Sequence, residues 1–254
     1  MTATIQLTNA SSDLVSFLSS WASGFSTNYG AFYGATPGLV TNPSNGANDY
    51  DTWGAGQSGN KGVVIEGSFQ YDLNGHDLNG DGDFTDPGEI APNDLVGTVS
   101  SLTLGTGYSQ SSSGISLSQQ DLVINPDAGN PSAAFDYAIY QFTVNSSIAG
   151  LYTYLASVGA VIEDTSASDI LTGFAGADTF VLSGGNDTIG AGGTGTYGFQ
   201  DGADTLDVRD WGAASFGDLT VYASGSDSYV YYGSNSVLLE GIAASDVSAA
   251  DFLF

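Results

Sequence analysis

The chain has 254 residues, of which 28 are acidic and only Lys61 and Arg209 are basic, so its formal net charge is −26; it has no cysteine. This charge excludes nucleic acid as a partner, because a phosphate backbone needs a basic footprint, and disfavours anionic membrane surfaces. The lack of thiols excludes disulfides, thiolate zinc sites and iron–sulfur clusters.

The opening residues, MTATIQLTNASSDLVSF, lack a basic segment followed by an apolar run. No secretory signal peptide is expected there, and no apolar run in the chain reaches transmembrane length. Leu14, Phe17, Leu18 and Trp21 recur at helical spacing, with Ser11 or Ser12 as the cap. The Gly/Asn/Pro-rich residues 34–62 read as loop. VVIEGSFQY (63–71) reads as a strand, and DLVGTVSSLTLG (94–105) and DLVINP (121–126) as two more. A second helix is predicted over 132–143, with Phe135, Ile139 and Phe142 on one face. A third is predicted over 147–158, with Ile148, Leu151, Tyr152 and Leu155. Strands grouped together and then helices grouped together predict an α+β fold for residues 1–164, an antiparallel sheet with helices on one face.

An acidic insertion, residues 74–92, follows the 63–71 strand. Its segment DLNGDGDFTDPGE matches a calcium loop with Asp77 at position 1, Asn79 at 3, Asp81 at 5, Gly82 at 6 and Asp83 at 7. Alternate residues of such a curled loop point at one centre, and glycine permits its sharp turn. The bidentate glutamate expected at position 12 is replaced by Gly88. Glu89 comes one residue late, and Asp86 is an alternative.

From about Thr165 the pattern changes. Asp169, Asp178 and Asp187 are spaced nine residues apart, and each is followed two positions later by an apolar residue: Leu171, Phe180 and Ile189. GADTL (202–206) repeats the pattern with Asp204. A nine-residue period predicts a small all-β parallel β-roll over 165–254, with calcium between coils and apolar side chains stacked inside.

The segments DILTGFAGADTFVLSGGNDTI, FGDLTVYASGSDSYVYY and VLLEGIAASDVSAADFLF resemble, in order, the C-terminal region of RTX proteins. ADFLF (250–254) is similar to their uncleaved export signal. The resemblance implies export by a type I ABC exporter from a Gram-negative cell, calcium-triggered folding outside it, and Asp169, Asp178 and Asp187 as ligands. Residues 11–165 resemble the HasA-type hemophores. LVSFLSSWASGF (14–25) is similar to their first helix, GAFYG (30–34) to the segment after it, and GSFQYDL (67–73) to the strand whose tyrosine ligates haem iron.

The hemophore resemblance implies Tyr71 as axial ligand to haem and delivery to an outer-membrane haem receptor. The family's supporting histidine is replaced by Asn93, by counting back from the next strand, which leaves His76 as a candidate for that role. The second axial histidine has no counterpart in 26–38, where Tyr29, Tyr33 or an open position would serve. The two expectations for function are a haem-binding extracellular protein and a calcium-dependent filament or surface-layer subunit on the same fold, the latter implying self-association. No enzyme is expected: there is one histidine, no Ser/His/Asp set and no H-E-x-x-H, although paired carboxylates for glycosidase work remain compatible with so acidic a chain.

Overall fold

A computed structural model describes residues 2–23, 25, 29–43, 49–126 and 133–254, with the backbone alone for Phe142. Strands dominate the described residues, and three α-helices accompany them, which makes the chain α+β. Its contacts divide it into two compact units: Ala22–Leu151, and Met1–Trp21 together with Tyr152–Phe254.

The Ala22–Leu151 unit is built on an antiparallel sheet. Its strands run in the order Gln119–Asn125, Leu95–Thr106, Gly62–Tyr71, Asp49–Gly56, Ala31–Gly34 and Gly38–Val40. The β-branched and aromatic residues of the central strand supply much of the core: Val63, Val64, Ile65 and Phe69 are buried, with Leu102, Leu104, Leu122 and Ile124 on its neighbours.

The expectation of loop over 34–62 is corrected here, because Gly38–Val40 and Asp49–Gly56 are strands. The glycines that suggested loop have a packing reason. A Cβ on Gly62 would stand 2.6 Å from the Tyr108 ring, one on Gly56 2.9 Å from it, and one on Gly54 2.6 Å from Ile115. The backbone must pass this close to the ring, whose hydroxyl donates to the Gly54 carbonyl at 3.0 Å. Helices Ala133–Asn145 and Ala149–Val158 occupy the two segments predicted from spacing. Their close approach is set by Gly150, where a Cβ would lie 2.7 Å from the Ala138 Cα.

In the other unit, helix Leu14–Ser23 begins after Asp13. The Asp13 Oδ1 accepts the Ser16 N–H at 2.8 Å and caps the helix in place of Ser11 or Ser12. The Ser11 hydroxyl oxygen instead accepts from the Thr8 N–H at 2.9 Å.

The rest of this unit alternates between two parallel ladders. The first runs Ala3–Leu7, Ala160–Glu163, Thr179–Val181, Thr205–Asp207 and Phe252–Leu253. The second runs Ile170–Leu171, Asn186–Ile189 and Asn235–Leu239, continued by the antiparallel strands Asp227–Tyr232 and Thr220–Ser224. Ile5, Ile162, Phe180, Leu206 and Phe252 stand in one register, and Leu171, Ile189 and Leu239 in another. All eight are buried. The pattern advances 18 residues per return to the same ladder, from Ile162 to Phe180 and from Leu171 to Ile189.

Candidate functional site

The Ala22–Leu151 unit contains a cavity of about 730 Å³. Phe32, Trp53, Tyr71, Leu95 and Ile139 supply apolar walls, and Tyr29, Tyr137 and Tyr140 line it while remaining largely exposed. Two elements bring its polar groups together. The first is the end of the Gly62–Tyr71 strand, where the Tyr71 ring stacks on Phe32 with centroids 4.7 Å apart and 24° between planes. Its hydroxyl donates to Asn93 Oδ1 at 3.2 Å. Asn93 holds a left-handed backbone (φ 63°), a conformation that asparagine tolerates better than most residues, and its N–H donates to the Asp72 carbonyl at 3.0 Å. The strand ends there because the Asp72 carboxylate accepts the Asn74 N–H at 2.8 Å and turns the chain.

The second element is helix Ala133–Asn145, which brings Asp136 to the same wall. Burial pushes the Asp136 carboxyl up to about 8, reinforced by a hydrogen bond to and repulsion from Asp94. The pair therefore retains a proton at neutral pH. The Tyr71 phenol is also pushed up, first by burial and then by Asp136 and Asp72. The site is an aromatic slot into whose wall the Tyr71 phenol, the Asn93 amide and the Asp136 carboxyl are gathered.

Tyr29 lines this cavity, whereas Tyr33 packs against the cluster of Ala31, Val64, Tyr108 and Ile115. His76 is not among the lining residues. Its backbone pairs with Ile90, through N–H to carbonyl contacts of 2.8 and 3.2 Å.

The 77–89 loop curls on its own carboxylates. Asp77 accepts from the Gly80 and Gly82 N–H groups, Asn79 from Asp81, Asp81 from Asp83 and Asp83 from Thr85. The N–H groups of Gly82 and Gly80 hold the Asp77 carboxyl below its usual range. Glu89 turns inward despite its late position, accepting from the Leu78 N–H at 3.0 Å and the Asp86 N–H at 3.2 Å.

The nine-residue aspartates do not share one role. Asp178 is satisfied at both oxygens, by the Ala160 N–H at 2.7 Å and the Phe174 N–H at 2.6 Å. Asp204 is satisfied likewise by Asp178 and Gln200, both at 2.9 Å. Asp169 and Asp187 instead meet Asp164, with one ligand oxygen from each lying within 4.8 Å of the others. No other such trio of carboxylates or imidazole occurs among the described residues. Burial is the main force pushing Asp164 and Asp187 up to about 7. Asp164 lies outside the nine-residue phase, and nothing in the period marks it.

No protein-family model and no curated protein matches the sequence. Among solved structures, the chain is similar to the holo hemophore HasA from Yersinia pestis, with 16% identity and a TM-score of 0.43 over 62% of this chain and 90% of that one. It is also similar to a HasA mutant monomer from Yersinia pseudotuberculosis, with 14% identity and a TM-score of 0.44 over 62% and 90%. An apo HasA from Yersinia pestis gives 16% and 0.42 over 62% and 88%. Among the described residues, no helix is long and apolar enough to cross a membrane.

Proposed function

We propose that the chain is a secreted, hemophore-like, calcium-stabilised protein that binds haem for iron acquisition and passes it to an outer-membrane receptor. The observation that carries this reading is the Tyr71–Asn93 pair on the wall of an aromatic cavity of about 730 Å³. That volume lies within the roughly 300–1,000 Å³ of small-molecule and cofactor sites. The donor set fits the group. A phenol is a ligand for ferric haem iron, and the flat walls of Phe32 and Trp53 suit a planar macrocycle. When bound, haem would supply a ferric centre able to accept an oxygen donor.

The remaining tasks fall to the chain. Tyr71 would hold the iron as phenolate, its proton passing to solvent and the ferric charge offsetting the burial that raises the phenol. Asn93, with its amide turned, would then donate Nδ2–H to that oxygen and hold it in place. The Asp94–Asp136 pair retains its proton, which keeps a second negative charge away from the phenolate. Of the two tyrosines considered as a second ligand, Tyr29 lines the cavity and Tyr33 does not.

The reading is of a binding protein, not an enzyme. Titration of the purified protein with ferric haem should give a Soret band and a tyrosinate charge-transfer band, and Tyr71→Phe should remove the latter. His76→Ala should leave both intact, since His76 lies outside the lining. A wild-type protein with no Soret shift at micromolar haem overturns the proposal.

Calcium is the second part of the reading, through Asp77, Asn79, Asp81, Asp83 and Glu89 in the insertion. Residues 165–254 are read as an RTX-like calcium-binding and type I export region of a Gram-negative protein. The parallel ladders and their buried aspartates support this.

One observation favours the alternative of a filament or surface-layer subunit. Tyr222, Tyr229 and Tyr231 stack on one face of the antiparallel hairpin, with centroids 5.5–5.6 Å apart, and the edge strand Thr220–Ser224 is mostly exposed. Light scattering with and without calcium separates the two: calcium-dependent polymers without a Soret band would select the structural role.

A further inference from the structure

Asp164, Asp169 and Asp187 are each held by one oxygen and left open at the other. Asp164 Oδ1 accepts the Ser183 N–H at 2.8 Å. Asp169 Oδ2 accepts the Thr165 N–H at 3.0 Å and the Thr165 hydroxyl at 2.8 Å. Asp187 Oδ1 accepts the Asp169 N–H at 3.0 Å. The opposite oxygens, Asp164 Oδ2, Asp169 Oδ1 and Asp187 Oδ2, are buried and have no hydrogen-bond partner. Asp169 and Asp187 are 1% and 2% exposed. Unpaired buried carboxylate oxygens are among the costliest groups a fold can hold, and water cannot reach these to relieve them.

The trio lies in the Met1–Trp21/Tyr152–Phe254 unit, whose single basic side chain is engaged elsewhere. Arg209, the only basic residue in this unit, donates from Nε and Nη2 to the two oxygens of Asp207.

We propose that Asp164, Asp169 and Asp187 bind one hard divalent cation of the calcium class, which ties the end of the Ala160–Glu163 strand to the next two turns of the coil. This goes beyond the nine-residue reading, since it adds an aspartate outside that phase and removes Asp178, whose oxygens are already occupied. It is independent of the haem reading. An all-oxygen set argues against zinc. Ligand oxygens within 4.8 Å of one another fit a shell of radius about 2.3–2.6 Å, as calcium requires, and magnesium takes few all-protein sites.

The test uses the full chain stripped with chelator and then titrated with calcium itself, in the Asp81→Ala background to silence the insertion loop. Asp164→Asn and Asp187→Asn keep the oxygen that accepts the backbone N–H and remove a charge. Each should bind one calcium fewer per chain. Each should also melt above the parent in chelator, where a repulsion has gone, and below it in calcium. Asp178→Asn should leave the calcium count unchanged. An unchanged count in both cluster variants overturns the proposal. So does an equal loss in Asp178→Asn, or melting below the parent in both conditions, which would indicate a purely structural role.

Discussion

Asp77 and Asp187 are the same side chain in opposite circumstances. Asp77 lies in an exposed loop rich in glycine, where backbone N–H groups turn toward both its oxygens and hold its carboxyl below the usual range. Asp187 lies between coils at 2% exposure, with one oxygen satisfied and the other not, and is pushed up to about 7. In the loop, water and peptide dipoles already solvate the charge, so a cation there would replace interactions of similar quality. Between the coils one oxygen is left with nothing to solvate it, and the protein must take up a cation or a proton. A strong sequence motif thus marks where ligands can gather, whereas burial marks where one is needed.

The largest expected effect comes from removing calcium. If the buried trio carries the dependence, chelator added to the Asp81→Ala protein, whose insertion loop is silenced, should lower the melting of the Met1–Trp21/Tyr152–Phe254 unit and leave the antiparallel unit nearly unchanged. Calcium at a hundred times its dissociation constant is worth about 2.7 kcal/mol per site. Two calorimetric transitions, only one of which moves with chelator, would sharpen the contrast; a uniform shift would break it.

A smaller effect tests whether burial alone suffices. Asp136 is a half-buried acid with no proposed cation, raised to about 8 in the fold from an ordinary 3.8. Between these values the folded state holds more protons than the unfolded one, so stability should fall as pH rises from about 4 to about 8. Asp136→Asn should flatten that slope and raise the melting temperature at pH 8 by several degrees. Melts of wild type and variant from pH 5 to 8.5 decide it, and parallel curves would contradict the burial argument.

The smallest effect belongs to the loop. Asp81→Ala should change stability by no more than about 0.5 kcal/mol in chelator, as exposed substitutions usually do, while removing a calcium from the calorimetric count. A loss of several kcal/mol would place the loop with the coils rather than opposite them.

The sequence revealed elements whose signal is local. The three helices and the strands ending near Tyr71 and Thr106 follow from spacing and β-branched runs, whereas Asn93 came from the hemophore resemblance, as the position of that family's supporting histidine. The structure has Asn93 hydrogen-bonded to Tyr71. Elements whose reason lies elsewhere in the chain were hidden. Asp49–Gly56 looks like loop because its glycines answer to Tyr108, more than fifty residues away. Ala3–Leu7 does carry a strand signal, apolar Ala3, Ile5 and Leu7 alternating with Thr4 and Gln6, but a partner as distant as Ala160–Glu163 could not be read from it. Asp204 falls out of the nine-residue phase because the segment between Ile189 and Thr205 is longer than the one between Phe180 and Ile189. Asp164 precedes the first aspartate of the series by five residues, so the period could not mark it.

The pairing of Ala3–Leu7 with Ala160–Glu163 also has a kinetic side. The first strand is made early but cannot enter its ladder until residues some 155 positions later are available. Everything in Ala22–Leu151 is an excursion between the two partners. The entropy of closing so long a loop grows only slowly with length, about 0.6 kcal/mol per doubling, but the search must still be made. If the excursion folds first, its ends become the ends of a compact body and the effective loop is far shorter. Refolding should therefore show the antiparallel unit forming ahead of the parallel ladders. Mutations that slow the former should delay the latter without altering its final stability.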